Sequence, residues 1–490
     1  MRKFPLLILG LILLVGLFFR SYQVVERFEF AHDGDLYSWI VKDIVVNHHF
    51  RLIGQLTSAP GIFIGGLFYY LLIPFFLLSK MDPIGTTSFA IIIGLTTIFS
   101  LYFVLSKLYK TEVGLIAAFL YATLITTINA DRWVVPTITT NLWVIWYLYS
   151  ILKIARGDYR VLPLLGILIG LVWHVHIALV PVLIAIPAAI YFAKKLPSKK
   201  QVIQFFAAFF ITNLPLLIFE LRHGFGQTQS LINNFTTPQA GATGIYKLTL
   251  VLNMAVNNIS VLFFTPQSLN QRFSILFVLI IILLGFLLIR RKILAKKEFL
   301  VFLIWTLGVI VFFGFSTSPI SEYYFSNLGI IFLCLVSLIL YLIFKSSHLG
   351  KAFVVMLLLL IPIKNGYFMI TNNYYNKGYV EKKAVVNFIK TDSENRGFPC
   401  IGISYITTVG ENVGFRYFFY LNNMHLVHPS FDVPVYNIVI PDELSAGEVK
   451  QKFGHIGIIP PTTLPSKETI QKTCQTPNTN LTDSLFGYVD

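Results

Sequence analysis

The stretch FSILFVLIIILLGFLLI, residues 273–289, followed at once by RRKILAKK, residues 290–297, decides the fold. A helix rises ~1.5 Å per residue, so roughly 20 mostly apolar residues cross a ~30 Å hydrocarbon layer, and an uncharged run of this kind reads as a spanning helix. The basic run then gives its side. Lys and Arg are enriched in cytoplasmic loops, so the helix should enter the cytoplasm at residue 290.

The whole chain repeats this pattern. Its 490 residues are 56% hydrophobic and 12% charged, with a mean hydropathy of +0.72, which excludes an ordinary soluble domain. The net charge of +15 would suit nucleic acid, but the cations sit in short clusters between apolar runs and mark membrane topology instead. The clusters are Arg2-Lys3, Lys107 with Lys110, Lys153 with Arg156 and Arg160, Lys194-Lys195 with Lys199-Lys200, Arg290 to Lys297, and Lys345 with Lys351. Six inside stations predict about eleven crossings, with the N-terminus inside and the tail outside. Residues 4–19 follow a basic start and lack a convincing cleavage site, so they read as a retained first helix.

Further helices are expected over residues 86–106, 112–130, 135–152, 202–219 and 299–315, with others starting near Val161, Ile177, Phe325 and Ala352. The first external stretch, residues 21–86, holds an apolar run at 60–78 that is read as a helix lying in the interface, because a crossing there would put Lys107 and Lys110 outside. Residues 248–264 are likewise read as interfacial. Composition shifts near residue 371, and β-branched runs at 400–408 and 434–440 predict a small external α/β domain. The expected division is therefore a membrane domain over 1–370 and an extracytoplasmic domain over 371–490. Cys400 and Cys474 both fall in the latter, where an oxidising compartment would permit a disulfide, and Cys334 lies in an apolar run.

With these sides assigned, the strongly polar clusters collect on the outer face: Asp33 and Asp35, Asp131 and Arg132, His174 and His176, Glu220 with Arg222 and His223, and Glu322 with Tyr323 and Tyr324. External turns are polar because they meet water, but acids, Arg and His together at several helix ends point to a site. A carboxylate at Asp33 could deprotonate an acceptor hydroxyl or amine; the competing reading is an N-cap for a helix starting at Leu36. Gly34 favours a turn in which both acids bracket one site. Arg132 and Arg222 have the planar fork that suits a phosphate, or else pair locally. Two histidines without a third ligand at fixed spacing are weak metal evidence. There is no P-loop, GxGxxG, HExxH or GxSxG motif, which argues against a nucleotide-driven pump or a standard hydrolase.

The chain resembles the GT-C glycosyltransferases, specifically bacterial relatives of dolichyl-phosphate-mannose protein mannosyltransferases and of the aminoarabinose transferase that modifies lipid A. The resemblance rests on His32-Asp33-Gly34-Asp35 in the first external loop, on the stretch from Leu52-Ile53-Gly54 to Tyr69-Tyr70 and Pro74, and on Asp131-Arg132-Trp133. Glu220-Leu221-Arg222-His223-Gly224 and the Tyr323-Tyr324 turn extend it. It implies inverting sugar transfer from a polyprenyl-phosphate donor to a protein, lipid or glycan acceptor outside the cell membrane. Asp33 would be the base, Asp35 an accessory acid or ligand, Arg132 and Arg222 the phosphate contacts, and His174 or His176 a phosphate or sugar contact. Members differ in metal use, so a divalent ion, Mg or Mn, stays open and no other cofactor is called for. Two departures weaken the phosphate contacts: Thr137 stands where many relatives have an acid, and Trp173-His174 where a Lys is common.

The rival class is a transporter or flippase of anionic lipid-linked substrates, which should carry ionisable residues near mid-membrane and related halves. Joining lipid-linked glycans is a third reading within the same outer-face chemistry.

Overall fold

The computed structural model describes residues 3–57, 59–236, 243–265, 269–316, 320–372 and 376–481. In chain order the first half contains α1 (Lys3–Ser21), α2 (His32–Val46), strands β1 (Ile53–Leu56) and β2 (Phe63–Gly65), α3 (Leu67–Leu78), α4 (Thr86–Leu108), α5 (Thr111–Thr123), α6 (Ile125–Arg132), α7 (Thr140–Ala155), α8 (Leu162–Gly170) and α9 (Val172–Val175). A 3-10 stretch (Ile177–Ile184) then leads through α10 (Ala185–Ala193), α11 (Lys199–Arg222), α12 (Gly226–Thr236), α13 (Gly244–Phe264), α14 (Gln271–Arg290), α15 (Lys296–Phe315), α16 (Ser326–Ser346) and α17 (His348–Thr371).

Among the described residues, eight helices are long and apolar enough to cross a membrane, nine if the bent pair α5–α6 is one span. Helix α13 passes that test and packs against α14, α15 and α16. Lys247 Nζ bonds the Ser316 carbonyl, and Asn258 Nδ2 donates to the Glu322 carbonyl at 3.3 Å, so both parts of α13 touch the turn between α15 and α16. Helix α7 and the shorter apolar segments Leu67–Leu78, Tyr159–Gly170 and Ile177–Ala193 fall below that length, so length and composition give eight or nine spans against the expected eleven or so. By length and composition, residues 248–264, read from the sequence as interfacial, belong to a helix able to span.

Side-chain ties bring the basic turns to one end. Arg156 Nε bonds Glu298 Oε1 at 2.6 Å, Lys297 Nζ reaches the Ala155 carbonyl at 2.6 Å, Tyr159 Oη bonds the Lys195 carbonyl, and Lys345 pairs with Glu112 at 3.5 Å. Five turns therefore meet at what we call the basic end. The opposite end carries the polar turns and is called the site end.

Two expectations need correction. The run at 60–78 is not one helix: its first part turns back as β2, which pairs antiparallel with β1 (Ile53 opposite Gly65), and only α3 is helical. Residues 112–130 are not one straight helix either. The chain breaks at Leu124 with a 66° bend, although neither Pro nor Gly stands there. Broken backbone inside a membrane is tolerated only where the freed groups find partners. Here Arg20 Nη2 and Nη1 reach the Tyr121 and Ala122 carbonyls at 3.3 and 3.2 Å, Thr127 Oγ1 bonds the Tyr121 carbonyl at 2.6 Å, and Asn365 Nδ2 takes the Thr123 carbonyl at 2.6 Å.

Beyond α17, a five-stranded sheet in the order β4 (Leu426–Val427), β3 (Ile401–Thr407), β5 (Val435–Ile440), β7 (Ile456–Ile459), β6 (Gln451–Phe453) packs with α18 (Tyr379–Asn395), α19 (Arg416–Leu421) and α20 (Lys467–Thr473). Strand β3 runs parallel to β4 and β5, and β7 antiparallel to β5. Cys400 and Cys474 form a disulfide across a Cα separation of 5.5 Å, and Cys334 is buried and free. The sheet domain is not separate from the first loop. Phe30 meets Phe418 at 4.8 Å and Trp39 meets Tyr417 at 5.6 Å between ring centroids, so α2, α3 and the sheet domain share one hydrophobic core.

Lys382 joins the same two parts. Its Nζ donates to the Phe30 carbonyl at 2.7 Å, and burial pushes its ammonium down to about 8 despite Asp35, Glu411 and Glu29 nearby. Between about pH 8 and the ordinary 10.5, the unfolded chain holds a proton the folded chain has lost, so stability contributed here should rise with pH across that window. Melting curves of wild type and Lys382→Met over this range should diverge, the variant lacking the rise; parallel curves would reject the assignment.

Candidate active site

Asp33 stands in the first turn of α2, two residues after Ala31 at the cap position, and is half-buried. The helix begins at His32, so the turn expected around Gly34 is replaced by helical geometry, and the two acids point to different neighbours. Gln55 Nε2 donates to Asp33 Oδ1 at 3.0 Å. Tyr69 in turn donates to Gln55 Oε1 at 3.1 Å and accepts the Gln55 N–H at 3.0 Å. Asp35 is buried against the sheet domain, where its Oδ1 accepts the Tyr417 N–H at 3.1 Å.

The β1–β2 hairpin carries the contact network onward. Gly65 lies so close to His174 that a Cβ there would fall 2.1 Å from Nδ1, while Nδ1 accepts the Leu67 N–H at 3.4 Å. Burial lowers the His174 imidazole below its ordinary range. Gly65→Ala should therefore displace the ring or the hairpin, costing ~1–3 kcal/mol as overpacking; an unchanged melting temperature would show that the contact yields freely. On β2, the Phe63 N–H donates to Gln227 Oε1 at 2.7 Å. Glu220 is buried and accepts the Gln227 and Thr228 N–H groups at 3.1 Å each, capping the start of α12.

His176 belongs to a neighbouring group. It lies 5.2 Å from Tyr323 and 5.4 Å from Tyr324 between ring centroids, and burial pushes its imidazole down to about 4. These three side chains, with Thr137, Asn141 and Trp133, line a cavity of about 110 Å³. Asp131 lies behind it, accepting from Arg20 Nε and Nη2 at 2.8 and 2.6 Å and from Tyr121 at 2.8 Å. Tyr121 accepts from Asn141 at 3.1 Å, which links the buried pair to the cavity wall.

The predicted phosphate contacts stand in different states. Arg132 donates to the carbonyls of Phe19, Tyr22 and Gln23 at 3.2, 2.9 and 3.2 Å, closing the C-terminus of α1. Arg222 ends α11 exposed, with no ion pair among the described residues. His223 stacks on Phe219 at 4.1 Å and is exposed, as is Glu322. Residues 317–319 of the Glu322 turn lie outside the described residues.

As a metal site, the aspartates lack a donor set. They diverge, Asp35 is engaged by a backbone N–H, and among the described residues the only close group of three His, Cys, Asp or Glu ligand atoms is Asp442, Glu443 and His455 in the sheet domain. From the sequence, Gln55 and Tyr69 lie in the stretch from Leu52 to Pro74 but carry no assigned site role, and Arg20 is not singled out. Arg20 had a signal, since it is a cation at the wrong end of the first apolar run for a cytoplasmic marker.

The same architecture occurs in solved structures. ArnT from Cupriavidus metallidurans bound to undecaprenyl phosphate superposes with a TM-score of 0.60, covering 93% of this chain and 98% of that one at 11% identity. The chain has the GT-C fold. The apo state of the same ArnT gives a TM-score of 0.56 at 9% identity, over 93% of this chain and 97% of that one. The Archaeoglobus fulgidus oligosaccharyltransferase in complex with Zn and sulfate gives 0.50 at 12% identity, covering 89% of this chain and 68% of that one. The chain spans 65% of the same oligosaccharyltransferase in its apo form. No family model and no curated protein sequence matches, so the GT-C fold is carried by structure at identities where sequence similarity has faded.

Proposed function

We propose that this chain is an integral membrane glycosyltransferase that moves a sugar from a polyprenyl-phosphate donor to an acceptor on the extracytoplasmic face, with inversion. The observation that carries the reading is the place of Asp33: on a GT-C fold, a half-buried carboxylate in the first helical turn after the first span, held by Gln55 at 3.0 Å. A base in that position needs an oriented lone pair within reach of the acceptor. Asp33 takes the proton of the acceptor hydroxyl or amine as its oxygen or nitrogen attacks the anomeric carbon. The bond from that carbon to the phosphate oxygen breaks, and the polyprenyl phosphate leaves with the electron pair.

Cations at the phosphate stabilise the charge that develops on it. Arg222, exposed at the end of α11, is the first candidate. Arg132, which holds the carbonyls ending α1, is the second candidate, and the neutral His174 and His176 would serve by hydrogen bonding to phosphate or sugar. Asp35 acts on position, fixing the start of α2 against Tyr417. Undecaprenyl phosphate in the ArnT structure supports the donor class. The sugar and acceptor follow from assay: purified protein is incubated with labelled polyprenyl-phosphate sugars, with and without EDTA. Label transfer to an acceptor supports the reading; recovery of intact donor in every condition, with folded protein, counts against it. EDTA-insensitive transfer is expected from the donor set around Asp33.

A further inference from the structure

The basic end of the bundle contains a second cavity, of about 570 Å³, between the α4–α5 and α14–α15 turns and the end of α7. It is unrelated to the site end, where the polar turns lie. Four cations line it, Lys110, Arg156, Lys292 and Lys296, against the single carboxylate of Glu298. Glu298 is already bonded by Arg156 at 2.6 Å. Lys110, Lys292 and Lys296 have no acidic partner among the described residues, so the cavity carries an excess of positive charge there.

Three further features favour an anion. The first turns of α5 and α15, helices of 13 and 20 residues, both border the cavity, and helix N-termini present free N–H groups and the positive end of the dipole. Tyr109 also lines the cavity, with its hydroxyl beside Glu298 and the Arg156 guanidinium 5.5 Å from its ring centroid, which adds an O–H donor to the cationic wall. Lys292 holds a left-handed backbone, φ 55°, a conformation easier for Gly or Asn; the chain places a long cation there instead.

The rest of the wall is apolar, with Leu108, Val113, Ile289 and Leu294 where spanning helices end. Cations beside apolar surface at the end of a spanning helix match a lipid headgroup more closely than a soluble anion. We propose that this cavity binds the phosphate of an anionic membrane lipid, whose apolar part runs along that wall.

The test uses the full chain, delipidated in neutral detergent and titrated with phosphatidylglycerol, phosphatidylcholine or inorganic phosphate. Bound lipid is read by native mass spectrometry. Wild type should retain phosphatidylglycerol at least about tenfold better than phosphatidylcholine. Lys110→Gln/Lys292→Gln/Lys296→Gln should lose that preference, while Lys194→Gln/Lys199→Gln/Lys200→Gln, which removes three exposed cations from the same end, should keep it. Equal loss in both triple variants would mean diffuse surface charge and overturn the proposal, as would a cavity variant that binds like wild type. If inorganic phosphate displaces the lipid completely at equal concentration, the ligand is a soluble anion and the lipid assignment falls. Should the triple variant fail to fold, Lys292→Gln alone, in an exposed turn, is expected to weaken retention several-fold; an unchanged value rejects the site.

Discussion

Asp33→Asn should reduce sugar transfer by about 10²–10⁴-fold or more, the range lost with a general base, while leaving the protein folded. The substitution keeps shape and keeps an acceptor oxygen for Gln55 Nε2, now 3.0 Å from Asp33 Oδ1, so the link through Gln55 to Tyr69 can persist. Asp33 makes no ion pair among the described residues, and its replacement strands no buried charge. A melting temperature near wild type with intact donor binding and lost turnover is the expected combination. Wild-type turnover in the folded variant would remove Asp33 from the chemistry. Loss of folding along with activity would instead assign it a structural part, and Gln55→Ala then separates the two: it should lower turnover by mispositioning the carboxylate while sparing much of the stability.

The fold was largely legible because its dominant signal is hydrophobic length and the side preference of Lys and Arg. Those two features suffice for most of the long apolar helices and for the gathering of the α14–α15 turn with the other basic turns. The details that failed are those decided by a few tertiary contacts. The break between α5 and α6 at Leu124 has no Pro or Gly to announce it, because its cause is a guanidinium from α1 arriving more than a hundred residues away in sequence. The hairpin at β1–β2 hides in an apolar stretch whose period alone cannot tell strand from helix. At the site, residue type suggested which groups were chemical, but not their partners. Arg132 and Asp131 are neighbours in sequence yet face different partners, Arg132 the carbonyls ending α1 and Asp131 the buried Arg20.

That buried pair gives the largest expected effect on stability. Arg20 is 0% and Asp131 2% exposed, joined through two nitrogens at 2.8 and 2.6 Å. Removing one partner of such a pair leaves an uncompensated buried charge and costs ~3–5 kcal/mol, so Asp131→Ala should sharply lower melting temperature and yield. The pair has room only because residue 94 is glycine: a Cβ there would fall 2.5 Å from Arg20 Nε and 2.9 Å from Asp131 Oδ2. Arg20→Met/Asp131→Leu removes both charges at once, and replacing a whole buried pair by apolar groups is often tolerated. The double variant should therefore be less destabilised than the two single effects added, with a coupling of ~1–3 kcal/mol. Rescue should be partial, because Arg20 also holds the Tyr121 and Ala122 carbonyls freed at the helix break, and no apolar side chain can replace those bonds. Strict additivity would mean that the ion pair and the break are independent. Full rescue would mean that Thr127 and Asn365 alone satisfy the broken backbone, leaving Arg20 needed only to balance Asp131.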